Sequence, residues 1–328
     1  MKKIFFFFVI CVLTVFPSCS RSIDVSTSID IPTSDIDNRY NNVKANLSSK
    51  LAQIGNKLYY RYDNRFGISG VYEITEGQVK KLKDDICLNF VFHEKFLNVN
   101  TNPISYYEDE EDKSDTAYVC EISADSHPNY FEVTHDNLYY CTDVEIYCYD
   151  GTAFKVLASA KDFGIQTISS GETYILNNEI YFLNCEERNG TVNSKVYRYH
   201  TLSKKLDSID LGACMPDNMV AQGDTVYYLD DLSLYRVDFL SKAITKVTPF
   251  TQDNVIDCFN VCDDCICVGN ADGVFLSNNQ KDFRKISDDK AYDIYFLDSR
   301  FIYYITDDGV LMRVTRDGTV KEKVFSGF

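Results

Sequence analysis

The chain has 328 residues, 45% of them hydrophobic and 14% aromatic, with 49 acidic against 33 basic side chains and a formal charge of −16. Apolar content on that scale supports a sizeable core and excludes wholesale disorder. The acidic surplus repels phosphate backbones, which argues against nucleic acid as a partner.

Lys2 and Lys3 precede an uncharged apolar run over residues 4–16. A spanning helix needs about 20 apolar residues, so this run is too short to cross a bilayer, but it has the length of a signal-peptide core. Pro17, Ser18, Cys19 and Ser20 follow. With Ser18 as the small residue before it, Cys19 sits in a segment that resembles a bacterial lipoprotein signal. That resemblance implies lipidation of Cys19 and a body held outside the cytoplasm on a membrane of the cell envelope. Phe16 and Pro17 depart from the pattern, and ordinary cleavage after Ser20 would instead release a soluble secreted protein. Residues 1–19 are read as the signal peptide. Residues 20–46, rich in Ser, Thr, Asp and Asn, are read as a flexible tether. Residues 47–328 are read as the folded domain, with a short helix possible over 43–51.

An apolar triplet recurs along that domain. It appears as Leu58-Tyr59-Tyr60, weakly as Phe96-Leu97-Asn98, then as Leu138-Tyr139-Tyr140, Ile180-Tyr181-Phe182, Val226-Tyr227-Tyr228, Ile266-Cys267-Val268 and Ile302-Tyr303-Tyr304. A further strand pattern follows most triplets, as in Val196-Tyr197-Arg198-Tyr199, Leu234-Tyr235-Arg236-Val237 and Leu311-Met312-Arg313-Val314. One more follows that, and another precedes each triplet. Asp-Gly and Asn-Gly pairs such as Asp272-Gly273 and Asp317-Gly318 fall in the gaps, where positive φ favours tight hairpins. Four short antiparallel strands per unit of about forty residues is the parse. The triplets do not alternate apolar with polar, so both faces of each sheet are expected to be buried, as in a blade stacked between two others. The pattern of 137–150, 179–206 and 223–238 resembles bacterial β-propellers of the YVTN and low-density-lipoprotein-receptor-like kinds. An all-β propeller of seven four-stranded blades, or six if the weak second unit is not one, is the fold that the resemblance implies.

Chemistry is written more faintly. Residues 104–115 read as an insertion in the second unit, first of all a solvated acidic loop; the rival reading has Tyr106, Tyr107, Glu108 and Asp109 meeting a sugar ring, and their spacing matches no calcium loop. Twelve cysteines are scattered singly except for Cys258, Cys262, Cys265 and Cys267. These read first as small apolar residues filling strand positions, with a disulfide or a metal site as the rival readings. The recurring Arg198, Arg236 and Arg313 read as side chains stacking on tyrosines rather than as an anion-binding triad. His93, His127, His135 and His200 fall in no nucleophile, metalloprotease or phosphate-loop motif. No cofactor and no metal are expected. The reading is a non-catalytic envelope protein presenting a face to a protein or glycan partner. The alternative is an extracellular polysaccharide hydrolase or lyase with carboxylates at the channel mouth.

Overall fold

A computed structural model describes residues 51–326, with interruptions at 55, 64–68, 77, 84–88, 93–94, 99–104, 108–113, 116–129, 134–137, 143, 150–153, 169–172, 177, 189 and 248–254. The predicted signal peptide, the tether and Cys19 lie outside the described residues. Within them the chain is all-β apart from a single 3-10 turn at Ala160–Phe163. No helix among the described residues is long and apolar enough to cross a membrane.

Seven four-stranded sheets follow one another along the chain, over residues 51–83, 89–115, 130–159, 173–212, 217–247, 258–287 and 291–325. Each is an antiparallel meander whose spatial order is its sequence order. Every recurring triplet lies on the second strand of its sheet: Lys57–Asp63, Lys95–Asn98, Leu138–Cys141, Glu179–Arg188, Thr225–Asp230, Cys265–Asn270 and Phe301–Thr306. The reason is steric. A second strand is covered on both faces by the neighbouring sheets, so consecutive residues are buried, as at 226–229 and 301–305. The fourth strand is the edge of its sheet, and in Ala243–Val247 all residues but the last are exposed. Lys80, Lys81, Lys246 and Lys321 sit on these edges, where charge deters pairing with another chain's strand.

Two sequence expectations are corrected. Residues 105–107 and 114–115 are not an insertion: Ser105–Tyr107 and Ser114–Asp115 are the third and fourth strands of the second sheet. Leu51 opens the strand Leu51–Ile54 rather than ending a helix.

The sheets join through their faces. One buried cluster joins the third and fourth sheets through Ile146, Phe163, Phe182 and Tyr199. A second runs through the fourth, fifth and sixth sheets, and a third joins the sixth to the seventh. The first strand of the second sheet, Asn89–Phe92, lies beside Leu51–Ile54 and Tyr130–Val133. The last cluster brings the first and seventh sheets together, with Tyr60, Tyr62 and Tyr72 packed on Tyr303, Val324 and Phe325. Tyr60 also donates its hydroxyl proton to the Gly309 carbonyl at 2.7 Å. The first and last sheets meet by side-chain packing, since among the described residues the first is built of 51–83 and the last of 291–325, with no strand exchanged.

The Asp-Gly signals mark real turns. At the last of them Gly318 has φ 77°, and Asp317 Oδ1 accepts from the Thr315 hydroxyl at 2.6 Å and from the Thr319 N–H at 3.0 Å. These bonds, the Thr315 hydroxyl foremost, hold the Asp317 carboxyl down at about 2. A carboxyl depressed in the folded state binds fewer protons there than in the unfolded chain, so its stabilisation is present above the ordinary value near 3.8 and is lost as pH falls towards 2. Asp317→Asn is therefore expected to flatten the fall in unfolding midpoint between pH 4 and pH 2. An unchanged slope would show that the turn does not titrate with the fold.

Candidate functional site

Register places a tyrosine of the second strand opposite a charged residue of the third in four sheets: Tyr59 with Glu73, Tyr181 with Arg198, Tyr227 with Arg236 and Tyr303 with Arg313. Residues i and i+2 share a strand face. The residue two before the tyrosine, and the residue opposite the arginine on the fourth strand, are therefore the positions that can reach the guanidinium.

In the fourth sheet the first of these is Glu179. Its Oε1 takes the Arg198 Nε at 2.8 Å and Nη2 at 2.7 Å. Arg198 Nη1 reaches across to Asp224 Oδ1, at 2.5 Å, in the first turn of the fifth sheet. The Tyr181 hydroxyl lies 2.5 Å from Glu179 Oε2 and 2.6 Å from the Gly223 carbonyl, sharing its one proton between them. Burial, with the Glu179 carboxylate beside it, pushes the Tyr181 phenol far above its ordinary value. Burial also acts against the charge of Arg198, yet its bonds to Glu179 and Asp224 outweigh that and hold the guanidinium above its usual value. The result ties one sheet to the next.

In the seventh sheet the second position carries the carboxylate. Glu322, opposite Arg313, takes Nε at 2.7 Å and Nη2 at 2.5 Å from a guanidinium that is 3% exposed.

The fifth sheet has neither. Thr225 stands where Glu179 stands, two residues before Tyr227, and Thr245 stands opposite Arg236 where Glu322 stands. Among the described residues the ion pairing of Arg236 is limited to Asp238, at 3.5 Å from Nη2. Its Nε is buried and has no hydrogen-bond partner. The Tyr227 hydroxyl, unlike that of Tyr181, takes no hydrogen bond among the described residues. Beside this arginine lies an open cleft of about 340 Å³. Thr225, Tyr227 and Arg236, with Gln222, form one wall, and Asp263, Asp264 and Gln280 of the sixth sheet form the other. Asp264 occupies the turn position of Asp224 but makes no ion pair with Arg236.

The sequence-predicted residues fall elsewhere. Tyr106 and Tyr107 lie on the third strand of the second sheet, in register with Leu97 and Phe96 on one side and with Asp115 and Ser114 on the other. Glu108 and Asp109 lie outside the described residues. Cys258, Cys262 and Cys267 are buried in the cluster that joins the sixth and seventh sheets, as strand-filling side chains. A Cβ added at Gly269 would lie 2.7 Å from Cys258 Sγ, so this thiol fills the space that the glycine leaves. Burial pushes the Cys258 and Cys267 thiols well up, away from thiolate character. No group of His, Cys, Asp and Glu among the described residues is arranged to hold a metal ion. The arginines are corrected in detail: Arg198 and Arg313 lie over the rings of Phe239 and Phe301, at 5.6 and 4.2 Å, and their forks hold carboxylates. The cleft at Arg236 was missed. Aligning Glu179-Ile180-Tyr181 with Thr225-Val226-Tyr227 is the signal that could have found it.

No protein-family model and no curated protein matches the chain. Solved structures do. The extracellular domain of a one-component system of B. thetaiotaomicron superposes with a TM-score of 0.55 at 13% identity, over 90% of this chain and 40% of that one. This chain thus spans about two fifths of its neighbour's length. The computationally designed Ika8 protein gives 0.52 at 10% identity, covering 84% of this chain and 97% of that one. The WD40 domain of Neurospora crassa Pan2 gives 0.50 at 10% identity, covering 73% and 78%. The fold is propeller-like. Identities this low speak to architecture and leave the chemistry of the propeller to its own residues.

Proposed function

We propose that this chain is a seven-bladed β-propeller, each four-stranded sheet a blade, that works as a non-catalytic binding protein of the cell envelope. The observation that carries the binding role is the Arg236 cleft, where a guanidinium whose ion pair to Asp238 is 3.5 Å long, and a tyrosine with no hydrogen bond among the described residues, line open space between two blades. Buried polar groups are ordinarily satisfied, and a convergent set left open on a rigid scaffold is what a ligand site requires. The body would be tethered by a lipid on Cys19 and would meet a protein or glycan partner outside the cytoplasm. The fold likeness to an extracellular domain supports that placement, and so does the leader. The YVTN-like and low-density-lipoprotein-receptor-like kinship belongs to the same reading.

Two measurements test it. The full chain expressed in a bacterial host should partition with membranes, and Cys19→Ala should release it to the soluble fraction. Photo-crosslinking on intact cells should capture the partner, while incubation with envelope polysaccharides should leave them uncut. A Cys19→Ala protein that partitions like the parent removes the lipid anchor. Shortened polysaccharide chains make the protein an enzyme.

A further inference from the structure

We propose that the Arg236 cleft binds the carboxylate of a small acid that also carries hydrogen-bond donors, a sugar acid or an amino acid, in the place that the Glu179 side chain fills in the preceding blade. The inference rests on the binding-protein reading and deepens it by naming the ligand.

The argument is one of substitution within the same scaffold. Arg198 shows what this position demands: a carboxylate oxygen 2.8 Å from Nε and 2.7 Å from Nη2. Arg313 meets the same demand from the other side, with Glu322. A guanidinium presents these donors as a planar fork that matches a carboxylate. Around Arg236 both supplying positions are threonines, and the buried Nε has no partner among the described residues. A ligand carboxylate on that fork would complete the pattern and accept a hydrogen bond from the Tyr227 hydroxyl, as Glu179 does from Tyr181.

The opposite wall sets the rest of the ligand. Asp263 and Asp264 are hydrogen-bond acceptors that carry negative charge, so they favour hydroxyl or ammonium groups. A phosphate, a sulfate or a second carboxylate would bring added negative charge against them. Gln222 and Gln280 can serve either polarity. At about 340 Å³ the cleft lies at the small end of ligand sites and suits one sugar ring or one amino acid rather than a chain of either.

The test is thermal unfolding and titration calorimetry on the full chain with two matched pairs, D-glucuronate against glucose and L-serine against serine amide. The acid of at least one pair should raise the midpoint, and its partner lacking the carboxylate should not; which pair responds tells a sugar acid from an amino acid. Thr225→Glu should rebuild the Glu179 arrangement inside the protein, raise the ligand-free midpoint and abolish the response. Thr225→Gln, of similar volume but uncharged, guards against a folding defect and should leave the ligand-free midpoint near that of the parent. Arg236→Lys keeps the charge but loses the fork, and should weaken binding tenfold or more. Equal response to glucose and glucuronate would overturn the carboxylate assignment while leaving the binding reading intact. Undiminished acid binding by folded Thr225→Glu would overturn the location. No response to either acid, with a partner captured on cells by another face, would overturn this inference alone.

Discussion

Phe325→Ala is expected to lower the stability of the propeller by about 3–5 kcal/mol, the range for removing a fully buried aromatic ring. Phe325 is wholly buried near the C-terminal end of the last blade. Its ring centroid lies 5.3, 5.5 and 4.8 Å from those of Tyr60, Tyr62 and Tyr72 in the first blade. No strand is shared between the two ends of the described chain, so this aromatic cluster and the Tyr60 hydroxyl bond to Gly309 carry the closure. Phe182→Ala, a ring of equal burial stacked at 4.8 Å on Tyr197 in the cluster between the third and fourth sheets, provides the comparison away from the closure. Both should lower the midpoint. Phe325→Ala alone should also speed amide exchange selectively in 51–83 and 291–325, because opening there separates two blades without breaking a sheet. Uniform exchange in both variants would show that the ring opens elsewhere or only as a whole.

The parts of the fold that were legible in the sequence are those buried on both faces. Val226-Tyr227-Tyr228 and Ile302-Tyr303-Tyr304 stand out because a strand between two blades admits bulky residues at consecutive positions. Edge strands carry less apolar pattern, yet Ala243–Val247 reads as a strand although all its residues but the last are exposed. In the second blade the acidic residues after Tyr107 made the third strand read as an insertion, although Tyr106 and Tyr107 pair with Leu97 and Phe96 in ordinary register. The cleft was hidden for another reason. It exists through carboxylates that are missing, and the two that are present elsewhere, Glu179 and Glu322, come from different strands of different blades. Thr225 can be aligned with Glu179 along the repeat, but only the cross-strand register shows that Thr245 holds the place of Glu322.

That comparison makes a second strong prediction, at the blade whose arginine is satisfied. Glu322→Gln is expected to cost about 2–3 kcal/mol, below the 3–5 of a fully buried pair because Glu322 is itself 36% exposed. The penalty falls on Arg313, whose 3%-exposed guanidinium would keep its charge above the Phe301 ring while losing the carboxylate on its fork. Arg313→Met combined with Glu322→Leu removes charge and partner together and should recover most of the loss, since apolar replacement of an ion pair is often close to neutral. If the single change costs no more than the double, the pair is only a surface contact. The requirement for a carboxylate at this position would then fail for Arg236 too. If it costs what is expected, the open fork of Arg236 stands out against its neighbours. Arg236 is 37% exposed, so water can cover part of the charge that protein must cover at Arg313. A fork left half to solvent beside a polar cleft is tolerable to the fold and available to a ligand, whereas the same fork in the last blade has to be filled by the chain itself.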